Sequence, residues 1–182
     1  MVACRTIRTV IGTLIISLAG CQSVNNPPNV EPAVSEKIER LLPVVLEWYT
    51  RTEQQLLPQG RFLTQPELQR ASELGVKAPQ EVRVVVLETF PLPENEVVRQ
   101  EAIKHGFGSP DEAGRTHGHL IMLKPEYQGN AVILSHELVH VAQIDRMGRE
   151  AFLRQYLTEL ETVGYERSPL ELEAYSKQLR KD

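Results

Sequence analysis

Residues 135–140 read SHELVH and place two histidines, His136 and His140, four positions apart. On an α-helix four residues turn the chain by about 400°, so both imidazoles lie on one face, about 40° and one turn apart. Two imidazoles at this spacing can bind one metal ion at about 2.0–2.1 Å. Glu137 is rotated by about 100° from His136 and can reach a water molecule held by that ion. The spacing therefore predicts a metal centre with a carboxylate beside it.

The helix that carries these three groups is apolar nearly all round, which predicts that it is buried. Its apolar residues are Val132, Ile133, Leu134, Leu138, Val139, Val141 and Ile144. Burying two unpaired histidines and a carboxylate would be costly, and a Zn²⁺ ion would offset that cost by ligating the imidazoles and balancing charge. Zinc would also lower the pKa of its water toward about 7, and Glu137 would then act as the general base.

A third ligand is expected on another helix downstream, and residues 169–175 read PLELEAY at the start of the last predicted helix. Acidic residues are favoured in any first helical turn, so this pair alone would indicate only a solvated helix end. In combination with the two histidines it offers a carboxylate ligand. Glu171 and Glu173 lie about 200° apart round the helix, so only one of them can face the metal.

These two motifs, HELVH and a later E-x-E-A helix, resemble the gluzincin group of HExxH zinc metallopeptidases. They are most similar to small bacterial zincin-like domains that read HELxHVxQ, and similar also to membrane-associated peptidases that process prenylated proteins and carry HExxH and E-x-x-A-D. The resemblance is confined to about residues 130–176. It implies His136 and His140 as zinc ligands, Glu137 as the general base and Glu171 as the third ligand, with Glu173 as the alternative.

The resemblance also predicts parts of the surroundings. In zincins a strand borders the cleft and the substrate backbone pairs along its edge, and HLIMLK (119–124) is placed for this role. Tyr175 stands where an aspartate would normally orient a ligating histidine, so the second layer of the site departs from the pattern. Gln143, on the same face as His140, is a candidate for that layer.

Zincins use a tyrosine or histidine to stabilise the oxyanion. The candidates here are Tyr156, Tyr165, Tyr175 and His119. Tyr165 is preferred because it lies in the loop before the helix that supplies the third ligand. His117 and His119 are two residues apart and could share one face of a strand, which allows either a second metal site or, preferably, a polar loop leading into the strand.

The first 20 residues are predicted to be a secretory signal peptide. Arg5 and Arg8 precede an apolar run, residues 10–20, which is about half the length of roughly 20 residues that a membrane-spanning helix needs. The run ends in LAGC, which resembles the bacterial lipobox, so Cys21 is predicted to be lipidated and to become the mature amino terminus. A chance cysteine after an ordinary signal peptide is the alternative. No aspartate follows Cys21, which favours the outer membrane in a cell with two membranes.

Residues 21–34, polar and with three prolines, are predicted to tether the membrane anchor to a folded domain over residues 35–182. Removal of the signal peptide takes away two arginines and no acid, so the formal charge moves from −4 to −6. This negative net charge argues against a nucleic-acid partner and against electrostatic binding to anionic lipid. Membrane attachment would therefore depend on the lipid anchor.

The domain is predicted to be mostly helical with a small sheet, of the α+β class, and zincin-like by resemblance. Helices are predicted from Ser35 to about residue 57, after Thr64 to Gly75, over about 94–105, over about 130–146, and twice within 149–181. Strands are predicted at 81–88 and 119–124, and the Gly- and His-rich segment between residues 105 and 118 is predicted to be a loop.

Two function hypotheses follow. The first is a lipid-anchored zinc metallopeptidase of the cell envelope that acts on peptide or protein substrates. The second is a non-catalytic envelope lipoprotein in which a structural or relic zinc site only stabilises the fold. Glu137 favours the first, because structural zinc has four closed ligands and needs no base. A hydrolase acting on a non-peptide amide is a third, weaker hypothesis.

Overall fold

The computed structural model describes residues 30–180. Its helices are α1 (Pro32–Leu56), α2 (Gln65–Leu74), α3 (Glu96–Lys104), α4 (Ala131–Met147), α5 (Arg149–Thr162) and α6 (Pro169–Lys177). Its strands are β1 (Arg61–Phe62), β2 (Arg83–Val86), β3 (Gly114–His117) and β4 (Leu120–Leu123). The predicted class, α+β and mostly helical with a small sheet beside the HELVH helix, is confirmed. Cys21 and the predicted signal peptide lie outside the described residues, as does most of the predicted tether.

The sheet is mixed, with the strand order β1-β2-β4-β3. β2 and β4 pair in parallel, while β1 pairs with β2 and β3 pairs with β4 in antiparallel fashion. Both edges of β4 are therefore occupied, and the prediction that residues 119–124 offer a free edge to a substrate is wrong. In the part of the chain that the structure describes, the free edge beside α4 belongs to β3, which lies in the segment predicted to be a loop.

Helix α4 runs between the sheet and the other helices. On one side, Leu134, Leu138 and Val141 pack with Val84 and Ile121 of the sheet and with the α2 helix. On the other side, Ile144 joins an apolar cluster formed largely by α1 and α5. Because it is enclosed on both sides, α4 buries its apolar surface in nearly every direction, as its sequence predicts.

Two helix boundaries show why these segments fold locally as they do. Helix α2 has the predicted limits, with a capping box between Thr64 and Glu67 and a left-handed Gly75 at its end. Helix α1 begins at Pro32, inside the predicted tether, and not at Ser35. Proline is favoured in the first turn of a helix because its missing N–H would have no intrahelical partner there. Within residues 30–180, the helices are too short or too polar to cross a membrane.

Candidate metal centre

The HELVH segment lies in the middle of α4, where every residue from Leu134 to Ile144 is buried. The helix begins after Asn130, whose side-chain oxygen accepts hydrogen bonds from the backbone N–H groups of Val132 and Ile133. This cap satisfies two amide groups that have no intrahelical acceptor. The helix start is thereby fixed about one and a half turns before the first histidine.

Helix α6 brings Glu171 to the two histidines. His136 Nε2 and His140 Nε2 lie 3.2 Å apart, and Glu171 oxygens lie 3.2 Å from the first and 3.5 Å from the second. Glu171 is only 1% exposed. All three donor atoms lie within 4.8 Å of one another, so one metal ion could contact them together. The structure thus brings together the three residues that the sequence and its resemblance propose as ligands.

The start of α6 is held in place by a buried carboxylate of α5. Glu159 Oε2 accepts a hydrogen bond from the Ser168 hydroxyl at 2.5 Å and another from the backbone N–H of Leu170 at 3.1 Å. The Ser168 hydroxyl in turn accepts from the N–H of Glu171 at 3.3 Å. These bonds fix the first turn of α6, and with it the position of Glu171.

A glutamine side chain orients each histidine. His136 Nδ1 lies 3.0 Å from Gln178 Oε1, and His140 Nδ1 lies 2.8 Å from Gln143 Oε1. An amide oxygen can only accept, so each Nδ1 carries the proton and donates it. Each Nε2 then presents a lone pair toward Glu171. If both rings are neutral, three acceptors face one another in a buried space, and the positive charge between them comes either from a proton on Nε2 or from a metal ion. A set of two imidazoles and one carboxylate suits Zn²⁺.

The pKa shifts of Glu171 and His140 also indicate that this cluster favours a positive charge beside the carboxylate. Burial raises the pKa of Glu171, but hydrogen bonds from His136 and His140 outweigh it and lower that pKa overall. Burial lowers the pKa of His140, but the hydrogen bond and charge of Glu171 outweigh it and raise that pKa to about 9. Tyr156 donates a 2.8 Å hydrogen bond to Glu171 Oε1, which helps to hold the carboxylate ionised.

Glu137 faces the edge strand. Its Oε2 accepts a 2.7 Å hydrogen bond from the Thr116 hydroxyl. A methyl group on Gly114 would come within 2.7 Å of Glu137 Oε1, so any larger residue here would displace the Glu137 carboxylate. Burial raises the pKa of Glu137, although the nearby histidines and Thr116 oppose that shift. A carboxylate with a raised pKa is a better proton acceptor, which is what a general base requires.

Glu173, the alternative third ligand, is separated from the cluster. It accepts hydrogen bonds from Gln143 Nε2 at 3.0 Å, Arg146 Nη2 at 3.0 Å and Lys177 Nζ at 2.7 Å. Burial raises the pKa of Glu173, but these donors lower it to about 2. Glu173 therefore closes an ionic contact between α4 and α6, on the opposite side of α6 from Glu171.

The oxyanion candidates divide into two groups. Tyr156, Tyr165 and Tyr175 line the cavity that contains the histidines. Tyr156 donates to Glu171, whereas Tyr165 is 41% exposed and its hydroxyl lies 3.4 Å from that of Tyr175. His119 does not line the cavity and instead lies 2.9 Å from Asp145. His119 is therefore excluded as an oxyanion donor, and Tyr165 stays the prediction among the three tyrosines.

His117 and His119 do not form a second metal site. His117 ends β3 and is buried, with its ring stacked on Tyr49 at 4.1 Å and edge-on to Trp48 at 4.9 Å. Burial lowers the pKa of His117 well below its usual range, so the ring is neutral. His119 lies beyond the Gly118 turn and pairs with Asp145. The two rings have different surroundings, as expected for the end of a strand and the turn that follows it.

Sequence reasoning missed Thr116 and Gln178, and it left open the identity of the residue that takes over from the aspartate expected at position 175. In the structure the Tyr175 ring packs edge-on against His136 at 4.7 Å, and Gln178 supplies the acceptor for His136 Nδ1. Gln178 lies just after α6 and therefore has no helical periodicity that could indicate its role. Gln143, in contrast, was indicated by its position one turn from His140.

His136, Glu137, His140 and Glu171 line a cavity of about 740 Å³. Comparisons with protein-family models, with curated proteins and with solved structures give no match to this chain. The interpretation of the site therefore rests on its own geometry and on the short motifs.

Proposed function

We propose that this chain is a zinc-dependent metallopeptidase of the cell envelope, anchored to the membrane by lipid on Cys21 and placed at the outer membrane in a cell with two membranes. The observation that carries the proposal is the convergence of His136, His140 and Glu171 on one point, with Glu137 beside it and a large cavity in front. A buried cluster of acceptors with room for a substrate suits catalysis better than packing.

The number of ligands favours a catalytic over a structural zinc site. Structural zinc is almost always held by four protein ligands, whereas catalytic zinc has three and keeps one position open. Within residues 30–180, no fourth histidine, cysteine or acidic ligand joins the group formed by His136, His140 and Glu171. The non-catalytic lipoprotein, the second hypothesis, would leave the burial of Glu137 beside this group without a purpose.

Each residue of the site would have a separate role in peptide hydrolysis. Zinc, when bound, supplies Lewis acidity that polarises a carbonyl and makes water acidic enough to lose a proton near neutral pH. Glu137 accepts that proton and later returns it to the leaving amine. Thr116 holds one carboxylate oxygen of Glu137, which leaves the other oxygen for the proton. Tyr165 is the proposed donor to the developing oxyanion.

The edge strand β3 supplies a place for the substrate backbone. Among residues 30–180, Gly114 to His117 pair only with β4, so the other edge of β3 is available for an added strand. Gly114 and Thr116 both contact Glu137. A peptide laid along this edge would therefore pass directly beside the proposed base.

Two measurements on the purified chain test the proposal. Metal analysis is expected to give about one zinc ion per chain, and an unbiased peptide library is expected to be cleaved only while the metal is bound. Cleavage that persists after complete chelation would refute the zinc mechanism. A zinc-loaded chain that cleaves no peptide, but loses its folded structure on chelation, would support the non-catalytic alternative.

A further inference from the structure

The cavity in front of the metal centre is larger than hydrolysis of a simple peptide requires. Its volume of about 740 Å³ falls in the range of about 300–1,000 Å³ that holds an entire drug-sized molecule. A scissile bond at the candidate metal centre would occupy only part of this space. Large unfilled apolar space is rare inside proteins, because closely packed interiors are more stable. The excess volume therefore points to an additional part of the substrate.

One face of helix α1 lines the cavity along much of the length of the helix. Ile38, Leu41, Val45, Trp48 and Tyr49 all line it, and their spacing places them along one face of the helix. Eleven residue steps separate the first from the last, which corresponds to about 17 Å along the axis. Helix α5 packs against α1 and extends the same apolar wall with Phe152, Leu153, Leu157 and Leu160. We call the part of the cavity that runs along α1 and α5 the apolar trough.

Aromatic side chains connect the apolar trough to the metal centre. The rings of Phe152 and Tyr156 stack at 5.7 Å, and their centroids lie 6.3 and 6.4 Å from that of His140. Tyr156 also bonds the ligand Glu171. A group that fills the trough would therefore be continuous with a scissile bond at the metal.

The end of the trough near the start of α1 carries charges that neutralise one another. Lys37 Nζ lies 2.6 Å from Glu101 and 3.0 Å from Glu161, and Glu161 also lies 2.5 Å from His105. Burial raises the pKa of Glu161, but His105 and Lys37 outweigh it and lower that pKa to about 2. Since the carboxylates already have cationic partners, this end offers little attraction to a charged ligand terminus.

We infer that the substrate carries an unbranched aliphatic chain, which lies in the apolar trough while the bond to be cleaved lies at the metal. This inference rests on the proposed peptidase function. An extended peptide in the trough would bury N–H and C=O groups against apolar side chains, at a high cost for each group left without a partner. An aliphatic chain has no such groups. At about 1.25 Å per carbon, derived from a C–C bond of about 1.5 Å, 17 Å accommodates roughly 13 carbons.

Binding can be measured without catalysis, in the full chain carrying Cys21→Ser and Glu137→Gln and kept free of detergent. The probes are straight-chain fatty acids of 8, 10, 12 and 16 carbons, titrated with and without zinc. Affinity is expected to rise about fourfold per added methylene and to level off between 12 and 16 carbons. A 12-carbon chain ending in a second carboxylate is expected to bind much more weakly. Affinity independent of chain length would overturn the inference.

Blocking variants locate the binding site. Val45→Phe places a larger side chain in the middle of the trough, and Leu157→Phe does the same from α5. Each is expected to weaken binding of the 12-carbon acid by about tenfold or more, because the ring takes space that the chain needs. Val44→Phe is the matched control, since Val44 lies on the same helix but does not line this cavity. Equal affinities in all three folded variants would place the chain elsewhere and overturn the inference.

A cleavage assay separates this inference from the proposed function. A library peptide that is cleaved by the chain with Glu137 intact is prepared in two forms. One form carries a dodecanoyl group at its amino terminus and the other an acetyl group. Preferential cleavage of the dodecanoyl peptide, lost in Val45→Phe, supports both proposals. Equal cleavage of the two peptides overturns the aliphatic substrate and leaves the peptidase intact. Chain-length-dependent fatty-acid binding without cleavage of any peptide supports the trough as a lipid site and overturns the peptidase.

Discussion

The Thr116 hydroxyl donates a 2.7 Å hydrogen bond to Glu137 Oε2, and so ties the edge strand to the proposed catalytic helix. The same hydroxyl lies 3.2 Å from the backbone carbonyl of Glu137. One side chain therefore sets both the orientation of the carboxylate and the distance between β3 and α4. The strand that would hold the substrate and the base that would act on it are positioned by a single contact.

Replacing Thr116 tests this coupling. Thr116→Val keeps the shape of the side chain but removes the hydroxyl, so Glu137 loses its orienting donor. We expect kcat/KM to fall by roughly 10- to 100-fold, since small displacements of a reacting group have effects of this size. Zinc content is expected to remain unchanged. Thr116→Ser restores the hydroxyl and is expected to recover most of the activity, whereas a purely steric role for Thr116 would leave Thr116→Ser as impaired as Thr116→Val.

The three proposed ligands can be ranked by metal analysis. His136→Ala and His140→Ala are each expected to abolish stoichiometric zinc, because only two protein ligands remain. Glu171→Gln is expected to weaken zinc binding strongly, whereas Glu173→Gln, which removes an ionic contact with Arg146, is expected to leave it near that of the wild type. Zinc retained in the double histidine variant, or the reverse order of the two glutamate variants, would contradict the ligand assignment.

Gln178 is expected to tune zinc affinity without ligating the metal. It accepts from His136 Nδ1 and thereby holds the tautomer that presents Nε2 to the ion. Gln178→Ala is expected to weaken zinc binding by about 10- to 100-fold, the usual effect of losing such a partner. Gln178→Glu keeps an acceptor and is expected to bind zinc at least as well as the wild type. Competition with a calibrated zinc chelator measures both, and equal affinity in Gln178→Ala would remove Gln178 from the site.

The parts of the fold and site that sequence reasoning predicted are those with a local signal. The α4 helix follows from its apolar residues and its Asn130 cap, and the pairing of His136 with His140 follows from helical spacing alone. Helical spacing alone does not distinguish Glu171 from Glu173 as the third ligand. The rotation of α6 decides between them, and contacts between Glu159 and the Ser168 region fix that rotation. That information is tertiary, and the resemblance to a family supplied the choice in its place.

Strand β3 was missed for a similar reason. Its sequence, Gly-Arg-Thr-His, contains no apolar residue to alternate with polar ones, and Thr116 is its only β-branched residue. It forms because β4, which has a strong apolar sequence, pairs with it, and because Gly114 lets it approach Glu137 closely. The consequence was that the free sheet edge was assigned to the wrong strand. A site built partly on weak local sequence can be recognised only when its neighbours are in place.

Lipid anchoring is tested at Cys21, the last residue of the LAGC motif. Cys21→Ser removes the thiol to which the lipid would be attached, so the chain is expected to move from the membrane fraction to the soluble fraction. The wild-type chain should show the added mass of the acyl groups on its mature amino-terminal residue. A Cys21→Ser chain that stays in the membrane fraction, with the same mass apart from the substitution, would show that the motif is not a lipobox.

A variant of Glu137 distinguishes the metallopeptidase from the non-catalytic lipoprotein. Glu137→Gln keeps the size, the burial and the acceptor for the Thr116 hydroxyl, but the amide cannot take a proton from water. Zinc content and the thermal unfolding midpoint are therefore expected to stay near those of the wild type. Hydrolysis of a library peptide is expected to fall by at least about 100-fold, the scale of losing a positioned acid–base group.

The matched control for this variant is Glu96→Gln, the same change at an exposed residue of α3 that does not line the cavity and contacts Gln100 and Arg99. It is expected to retain wild-type cleavage. If zinc only stabilises the fold, neither variant has activity to lose, and removing the metal affects the unfolding midpoint alone. If the wild type and Glu137→Gln cleave the same peptide at equal rates, Glu137 is not the base. The burial of a carboxylate beside His136 and His140 would then need an electrostatic explanation, with Glu137 contributing its charge to metal binding and a different group accepting the proton.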